Sequence, residues 1–461
     1  MKLTFSAWLL TATLLTGSSA WAEDTLLAQA NQEHPPASTA PAASSNEADA
    51  GHHHTPDVPS SGTLTLQQAI DKAIGNAPRL KSAEAALGAS RGERMQADVL
   101  PNPEIGLEAE NFTGSGPYSG FDSSEVTLGV SQTIELGGKR GSRQAAAEQG
   151  LRLRGFDYEA ERLDLIRDVT IAYAEAVAAQ EELKLAAEQK ELAADLLKEV
   201  NERVGAAREP LIQRSKAEIT ASTSAFAHER AEREFTHAQH TLASLWGGHH
   251  ETFALDRESL FALTPPKTEA EVETALDANP NLKRWEAEKA RSSALLELEK
   301  AQSIPDPRIS VGVRDFRGTG DQALMAGISI PIPVFNRNQG NIEKARHEVV
   351  KAESDAAATK LTARNSAFQA HEDMINAYRQ ADILKSTILP AAEKAFRLAR
   401  EGYRAGKFAY LEVLDSQRTL FETRAQYIAA LRDYHKARAE TERLTAAHET
   451  KNETQGEADA H

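Results

Sequence analysis

The chain has 461 residues, 41% hydrophobic and 26% charged, with a formal net charge of −16 and no cysteine. That charge leaves no basic footprint for nucleic acid, and the absence of thiols excludes a disulfide framework and an acylated N-terminal cysteine. No run of 18 apolar residues occurs, so no transmembrane helix is expected.

Taken from the N-terminus, residues 1–22 read as a secretory signal peptide. Lys2 is a minimal basic region, Leu3 to Leu15 is mostly apolar, and Ala20-Trp21-Ala22 offers a small-residue cleavage site. Residues 23–62 are rich in Ala, Ser, Pro and His, too polar to bury enough apolar area to offset their ordering entropy. Residues 448–461 have the same character, so both ends are expected to be flexible.

Between the ends the chain repeats itself at a period of about 200 residues, the kind of signal that outranks local pattern. "NAPRLKSAEAAL" from Asn76 returns as "NPNLKRWEAEKA" from Asn279, and "LPNPEIGLEAE" from Leu100 as "IPDPRISVGVR" from Ile304. "VTLGVSQTIELGGKR" from Val126 returns as "LMAGISIPIPVFNRN" from Leu324, and "VGAAREPLIQRS" from Val204, more loosely, as "AGKFAYLEVLDS" from Ala405. The shared order of four blocks defines a first repeat over 63–265 and a second over 266–447.

Each repeat reads as helix, two strands, a very long helix and a return helix. Ile105, Leu107 and Ala109, then Val126, Leu128 and Val130, alternate with polar or glycine positions; Ile309, Val311 and Val313, then Leu324, Ala326, Ile328 and Ile330, do the same. Period two with one apolar face predicts strands over about 103–112, 124–136, 307–316 and 323–335, one hairpin per repeat, at the length a membrane strand needs. Lys139 to Arg203 runs 65 residues without proline, which as helix spans about 98 Å, more than a compact domain buries. Leu185, Leu192, Leu196 and Val200 step by seven and four, a coiled-coil seam; Leu361, Phe368 and Ile375 step by seven, as do Leu414, Phe421 and Ile428. Pro390 is expected to kink or offset the second long helix. The return helices are placed at Pro210 to Trp246 and Leu411 to Ala447.

The segment "SQTIELGGKRG", Ser131 to Gly141, invites a phosphate-binding reading. A P-loop needs glycine five positions before its Gly-Lys pair and Ser or Thr after it, where this chain has Thr133 and Arg140. The segment is read instead as a strand-to-helix junction. Gly137 and Gly138 permit the turn, and Lys139, Arg140 and Arg143 are surface charges on the emerging helix. Phe335 to Asn338 is the same junction in the second repeat.

These features together resemble the TolC-type outer-membrane efflux factors over about Thr63 to Ala447. "LPNPEIGLEAEN" and "SQTIELGGKRGSR" resemble in particular the branch serving cobalt–zinc–cadmium efflux systems. The resemblance implies a mainly helical fold with a small β part. Three protomers, four strands each, would form a 12-stranded outer-membrane β-barrel continued by a periplasmic α-helical barrel. It implies an adaptor protein and an inner-membrane RND pump as partners, outer-membrane lipid as surroundings, and a passive duct for divalent heavy-metal cations driven by the pump. A multidrug channel is the alternative, and a soluble periplasmic coiled-coil protein a further one.

Within that resemblance "LEVLDS" matches the gate segment, so Glu412 and Asp415, three apart on one helical face, are the candidate gate carboxylates. Their counterparts in the block alignment are Leu211 and Arg214, which are not acidic. Gly205 and Gly406 mark the two helical tips, with Arg208 and Lys407 beside them as candidate adaptor contacts. Apart from the resemblance, the two carboxylates read as ordinary solvated charges near a helix N-terminus.

His52, His53 and His54 are the candidate metal-contacting residues, in a segment read as solvated chain, and His237 and His240 share a helical face. A metal site needs three or four convergent ligands, so no firm site and no cofactor are expected. Catalytic motifs such as G-x-S-x-G and H-E-x-x-H are missing, and no enzyme activity is expected.

Overall fold

The computed structural model describes residues 63–249 and 251–446. The signal peptide, the segment holding His52, His53 and His54, and the C-terminal tail lie outside the described residues.

The first repeat begins with α1 (Leu66–Asn76) and α2 (Pro78–Ala97). Thr65 starts α1 with a capping box closed by Gln68, and Pro78 stands in the first turn of α2, where its missing N–H costs nothing. Strands β1 (Glu104–Glu110) and β2 (Glu125–Thr133) form a hairpin that leads into α3 (Lys139–Gly205), a single helix of 67 residues. Helix α4 (Leu211–Ser244) returns along α3. After a connector carrying α5 (Glu258–Phe261) and α6 (Glu269–Leu276), the second repeat follows with α7 (Pro280–Gln302), β3 (Arg308–Phe316), β4 (Asp321–Ser329), α8 (Gln339–Ile383), α9 (Leu389–Arg404) and α10 (Tyr410–Leu444). Thr268 with Glu271 repeats the capping box at α6, and Asn279 with Pro280 opens α7.

The expected kink at Pro390 takes a specific form. Helices α8 and α9 are joined by a π-turn at Leu384–Ile388, in which the Leu389 N–H reaches back to the Leu384 carbonyl, and Pro390 falls in the first turn of α9. Widening the ring by one residue accommodates the carbonyl that proline cannot serve.

The largest core cluster gathers Leu165, Val169, Tyr173 and Val177 of α3 with Ile70 of α1, Leu242 of α4 and Leu431 of α10. Here the connector between repeats is pinned by aromatic side chains. Tyr173 donates to the Leu64 carbonyl at 2.8 Å, and Leu64 forms a parallel bridge with Leu255. The Tyr434 hydroxyl donates to Thr264 O at 2.7 Å and accepts from Thr264 N at 3.2 Å. The Nε2 atoms of His371 and His435 sit 2.7 and 2.9 Å from the carbonyls of Lys267 and Leu260, which can only accept, so Nε2 is the donor in each contact.

The heptad readings divide. Leu196 and Val200 of α3, and Phe421 and Ile428 of α10, are buried as expected. Leu361 and Phe368 are not: they are 68% and 50% exposed, and the buried stripe of α8 is Ala367, Ala370, His371, Met374, Ala377 and Ala381. Small residues let α8 approach α10 closely, which turns the larger heptad side chains outward.

The four strands make one antiparallel sheet in the order β1-β2-β3-β4, so the two hairpins pair with each other through β2 and β3. Directly opposed residues share a face. Ile105, Val130, Val311 and Ala326 form one row, and Leu107, Leu128, Val313 and Leu324 the next. These apolar side chains are exposed, Ile105 at 79% and Leu324 at 87%. The opposite face is polar, with Arg314 paired to Glu110 at 2.9 Å and to Glu125 at 3.0 Å. The strands are seven or nine residues long, shorter than expected at several ends. Pro331 and Pro333 have no N–H for a ladder and end β4 early, while the Gly137-Gly138 turn follows close on β2.

Burial depresses His435 below its ordinary value of 6.5, with Arg438 adding to the effect while the Leu260 carbonyl and Glu442 oppose it. The unfolded chain therefore binds a proton that the folded chain resists. The stability this group contributes is complete above the unfolded value and is lost as pH falls through the lower folded value. Thermal midpoints are expected to drop between pH 7.5 and 5.5, and less steeply in His435→Gln, which keeps a donor for Leu260.

Candidate functional site

Two regions carry the sequence-predicted residues: the strand-to-helix junction and the helical tips. At the junction Gly137 and Gly138 adopt φ values of +71° and +77°. A Cβ on Gly137 would also lie 2.6 Å from Ile304 Cδ1, so glycine is required there by both conformation and space. Gly138 is the left-handed N-cap of α3, and Asn338, at φ +59°, holds the same place before α8, donating to the backbone and side chain of Glu299.

The basic residues that follow are not the uniform surface charges expected. Lys139 is buried; its Nζ donates to the Ile304 carbonyl at 2.6 Å and to Asp306 at 2.5 Å. Asp306 also accepts the Leu136 N–H at 2.8 Å, so one carboxylate ties both sides of the junction. Arg143 is half-buried, holds Glu135 through two nitrogens, and donates to the Ala97 and Val99 carbonyls. Arg140 alone of the three is exposed; it binds Asp98 at 2.6 Å and holds that carboxyl below its usual range. The physical reason is the end of α2 and the start of β3, whose carbonyls and carboxylates crowd the first turns of α3. Asp306 was the residue the sequence reading missed, and its signal is the difference between "IPDP" and "LPNP".

At the tips, residues 206–210 join α3 to α4 and residues 405–409 join α9 to α10. Both helices end in a Schellman motif. Ala207 N–H bonds Val204 O at 3.0 Å and Arg208 N–H bonds Arg203 O at 2.9 Å; Gly406 N–H bonds Tyr403 O at 2.9 Å and Lys407 N–H bonds Gly402 O at 2.8 Å. The left-handed residue is thus Gly406 at one tip and Ala207 at the other, with φ +69° and +56°. Gly205 is the last helical residue of α3 and does not make the turn. The repeat alignment shifts by two here, so the counterparts of Glu412 and Asp415 are Gln213 and Lys216 rather than Leu211 and Arg214. The bonds Gln213 N to Pro210 O and Glu412 N to Ala409 O show this register. Arg208 and Lys407 are both exposed at equivalent positions.

Glu412 and Asp415 are exposed on the first turns of α10, with Asp415 facing Arg418 at 3.3 Å. Behind them lies a buried aromatic pair, Tyr403 and Tyr410, whose ring centroids are 5.7 Å apart. Burial pushes Tyr410 up to about 12, so it stays neutral. Arg203 reaches across from α3, lies over the Tyr403 ring at 4.1 Å, and donates to the Tyr403 and Arg404 carbonyls at 2.9 and 3.1 Å. It thereby caps the negative end of α9 and binds the two hairpins together. These tertiary contacts carried no local sequence signal. Among the described residues no group of three or more His, Cys, Asp and Glu is arranged to hold a metal, and no helix is long and apolar enough to cross a membrane.

The left-handed conformation costs an L-residue about 1–2 kcal/mol. Ala207→Gly is therefore expected to stabilise the chain by roughly 1 kcal/mol, and Gly406→Ala to destabilise it by a similar amount. Denaturant titration of the two variants tests this, and equal, unchanged midpoints would contradict the assigned register.

The comparisons with known proteins agree with this architecture. The family described as outer membrane efflux protein matches residues 69–248 and 272–447, one match per repeat. The cobalt-zinc-cadmium resistance protein CzcC of Cupriavidus metallidurans is 32% identical over 86% of this chain and 94% of its own. The nickel-cobalt-cadmium resistance protein NccC of Alcaligenes xylosoxydans is 27% identical over 64% of this chain and 66% of its own. In fold, a membrane protein of Pseudomonas aeruginosa superposes with a TM-score of 0.72 at 19% identity, covering 82% of this chain and 92% of that one. With both repeats matched and a relative above 30% identity aligned along most of its length, the chain is a member of the outer membrane efflux protein family.

Proposed function

We propose that the chain is the outer-membrane exit duct of a tripartite pump for divalent heavy-metal cations, working as a homotrimer. The observation that carries the channel reading is the sheet. Its outward face is an exposed apolar band, its other face is polar, and β1 and β4 end it with open edges. Such a sheet suits lipid only when further copies close it into a barrel. Stripes of exposed large residues at heptad spacing, Ile212, Ile219 and Phe226 on α4 and Leu361 and Phe368 on α8, supply helix faces for the same closure. The metal assignment rests on the resistance proteins that the chain resembles.

In this reading the chain binds no cofactor and carries no catalytic step. Cations arrive from an inner-membrane pump through an adaptor seated at the tips, where Arg208 and Lys407 project. Glu412 and Asp415, repeated by threefold symmetry, line the entrance with six carboxylates that favour cations. Deleting the gene alone is expected to sensitise cells selectively to cobalt, zinc, cadmium or nickel. Sensitisation to dyes and antibiotics instead would assign an organic cargo to the same channel. Replacing both Glu412 and Asp415 with Ala is expected to raise closed-state leak in planar bilayers and to weaken block by divalent cations. Unchanged conductance and block in that variant would remove the gate role.

A further inference from the structure

The two strand-to-helix junctions differ in length and in what holds them. Three residues separate Ile134 from the left-handed cap Gly138, whereas five separate its repeat counterpart Ile332 from the cap Asn338. The first junction leans on the entry to β3: Ile134 N–H bonds the Pro307 carbonyl at 2.9 Å and Leu136 N–H bonds Asp306 at 2.8 Å. The longer second loop is closed on itself. Val334 N–H bonds the Ile332 carbonyl, Arg337 N–H the Gln339 side chain and Asn338 N–H the Asn336 side chain, each at 2.9 Å. Ile332 and Phe335 are left 81% and 92% exposed.

We propose that this loop, residues 332–337, is a phospholipid anchor: Phe335 enters the acyl region at the inner edge of the apolar band, and Arg337 holds a lipid phosphate. The inference rests on the channel reading and adds to it a defined contact with lipid headgroups.

The outward face of the sheet sets the level. Its row Ala109, Val126, Asp315 and Gln322 is half polar and marks the outer edge, and the row below it, Leu107, Leu128, Val313 and Leu324, is wholly apolar. From Leu324 to Ile332 the extended chain covers about 26 Å, or about 20 Å along the membrane normal at a tilt of about 40°. The apolar band of a membrane barrel is about 25 Å tall, so Phe335, a little further along, falls at its inner edge, where aromatic rings are favoured. The collar is also more than an uncovered seam. In the first junction, already packed on the entry to β3, Ile134 and Leu136 still stay 40% and 42% exposed. Pro331 and Pro333 have no N–H, and the loop's internal bonds satisfy three others, which lowers the cost of taking its backbone to the interface.

Charge separates the second loop from the first. Each basic residue of the first junction has a carboxylate: Lys139 has Asp306, Arg140 has Asp98 and Arg143 has Glu135. Arg337 stands opposite Lys139 in the repeat alignment, yet it is exposed and forms no ion pair among the described residues; its Nε reaches only the Pro333 carbonyl, at 3.4 Å. The first-repeat counterpart of Asp306 is Asn102, a neutral amide, so a second copy seated there brings no carboxylate in that place. A guanidinium with free donors at an apolar edge suits a phosphate, which it can meet through two N–H groups.

Tryptophan placed in the loop tests this. Phe335→Trp and, as a reference on the outward face of the sheet, Leu128→Trp are made in the full chain and reconstituted in vesicles of phosphatidylcholine and phosphatidylglycerol. Fluorescence above that of the unsubstituted protein is quenched with lipids brominated either near the headgroup or deep in the acyl chain. Leu128→Trp is expected to respond more to the deep bromines, and Phe335→Trp to the shallow ones. Brominated phosphatidylglycerol is expected to quench Phe335→Trp roughly twofold more than brominated phosphatidylcholine. Adding Arg337→Gln is expected to abolish that preference and keep the depth. A preference unchanged by Arg337→Gln overturns the phosphate contact. Quenching of Phe335→Trp by aqueous acrylamide and not by brominated lipid overturns the anchor, and so does shielding from both, which puts a second copy or another protein over the loop. In either case lipid quenching of Leu128→Trp preserves the channel reading; if Leu128→Trp is not reached by lipid either, that reading falls as well.

Discussion

The structure depends on one unmet demand: a four-stranded sheet that is apolar on one face and unpaired at both edges. In water the edges would be solvated and the apolar face would be the problem. In lipid the face is at home and the edges become intolerable, since each unpaired N–H or C=O there costs several kcal/mol. No arrangement of one chain meets both conditions. The exposure of Ile105, Leu107, Leu324 and Ile328 is therefore a property of an incomplete object. The same holds for the heptad stripes on α4 and α8, which face away from the helices they are covalently tied to.

The junctions translate that sheet into helices of about 100 Å. A change of direction so near an apolar band concentrates polar backbone, and this chain meets it with charge. Lys139, Asp306, Arg143 and Glu135 each make several hydrogen bonds in partly buried surroundings. A buried ion pair by itself is weak evidence of stability, because desolvation cancels much of the Coulomb gain. What these groups do well is fix geometry, since Lys139, Asp306 and Arg143 each also satisfy a backbone N–H or carbonyl at the turn, and Glu135 holds Arg143 in place. The second repeat meets the same demand with Asn338 and Glu299.

The tips show how a repeat diverges while its backbone stays constant. Both are Schellman motifs with equivalent bonds, yet one carries alanine and the other glycine at the left-handed position. The second half adds the π-turn before Pro390 and the acidic face of Glu412 and Asp415. Arg203 links the halves at this end, reading the carbonyls of α9 from α3. The first-half helix is thus an unbroken strut, and the second-half helix carries both the local irregularity and the acidic residues.

Local pattern made most of the fold legible. Period-two alternation located all four strands, the lack of proline from Lys139 onward set α3, and the shared order of four blocks revealed the repeat, because these signals arise from neighbouring residues on one element. The repeat's register at the tips was misread by two residues, since matching Gly205 to Gly406 trusted a residue type where the backbone conformation was the conserved quantity. The burial of Lys139 and the exposure of Leu361 and Phe368 were equally hidden. Whether a lysine meets an aspartate 167 positions away, or a heptad faces its own chain or another, depends on how elements pack. The sequence by itself determined the elements, their order and their duplication. Only the tertiary structure decided which charges are inside, which apolar stripes remain uncovered and how the strands register, because those depend on contacts between residues far apart in the chain.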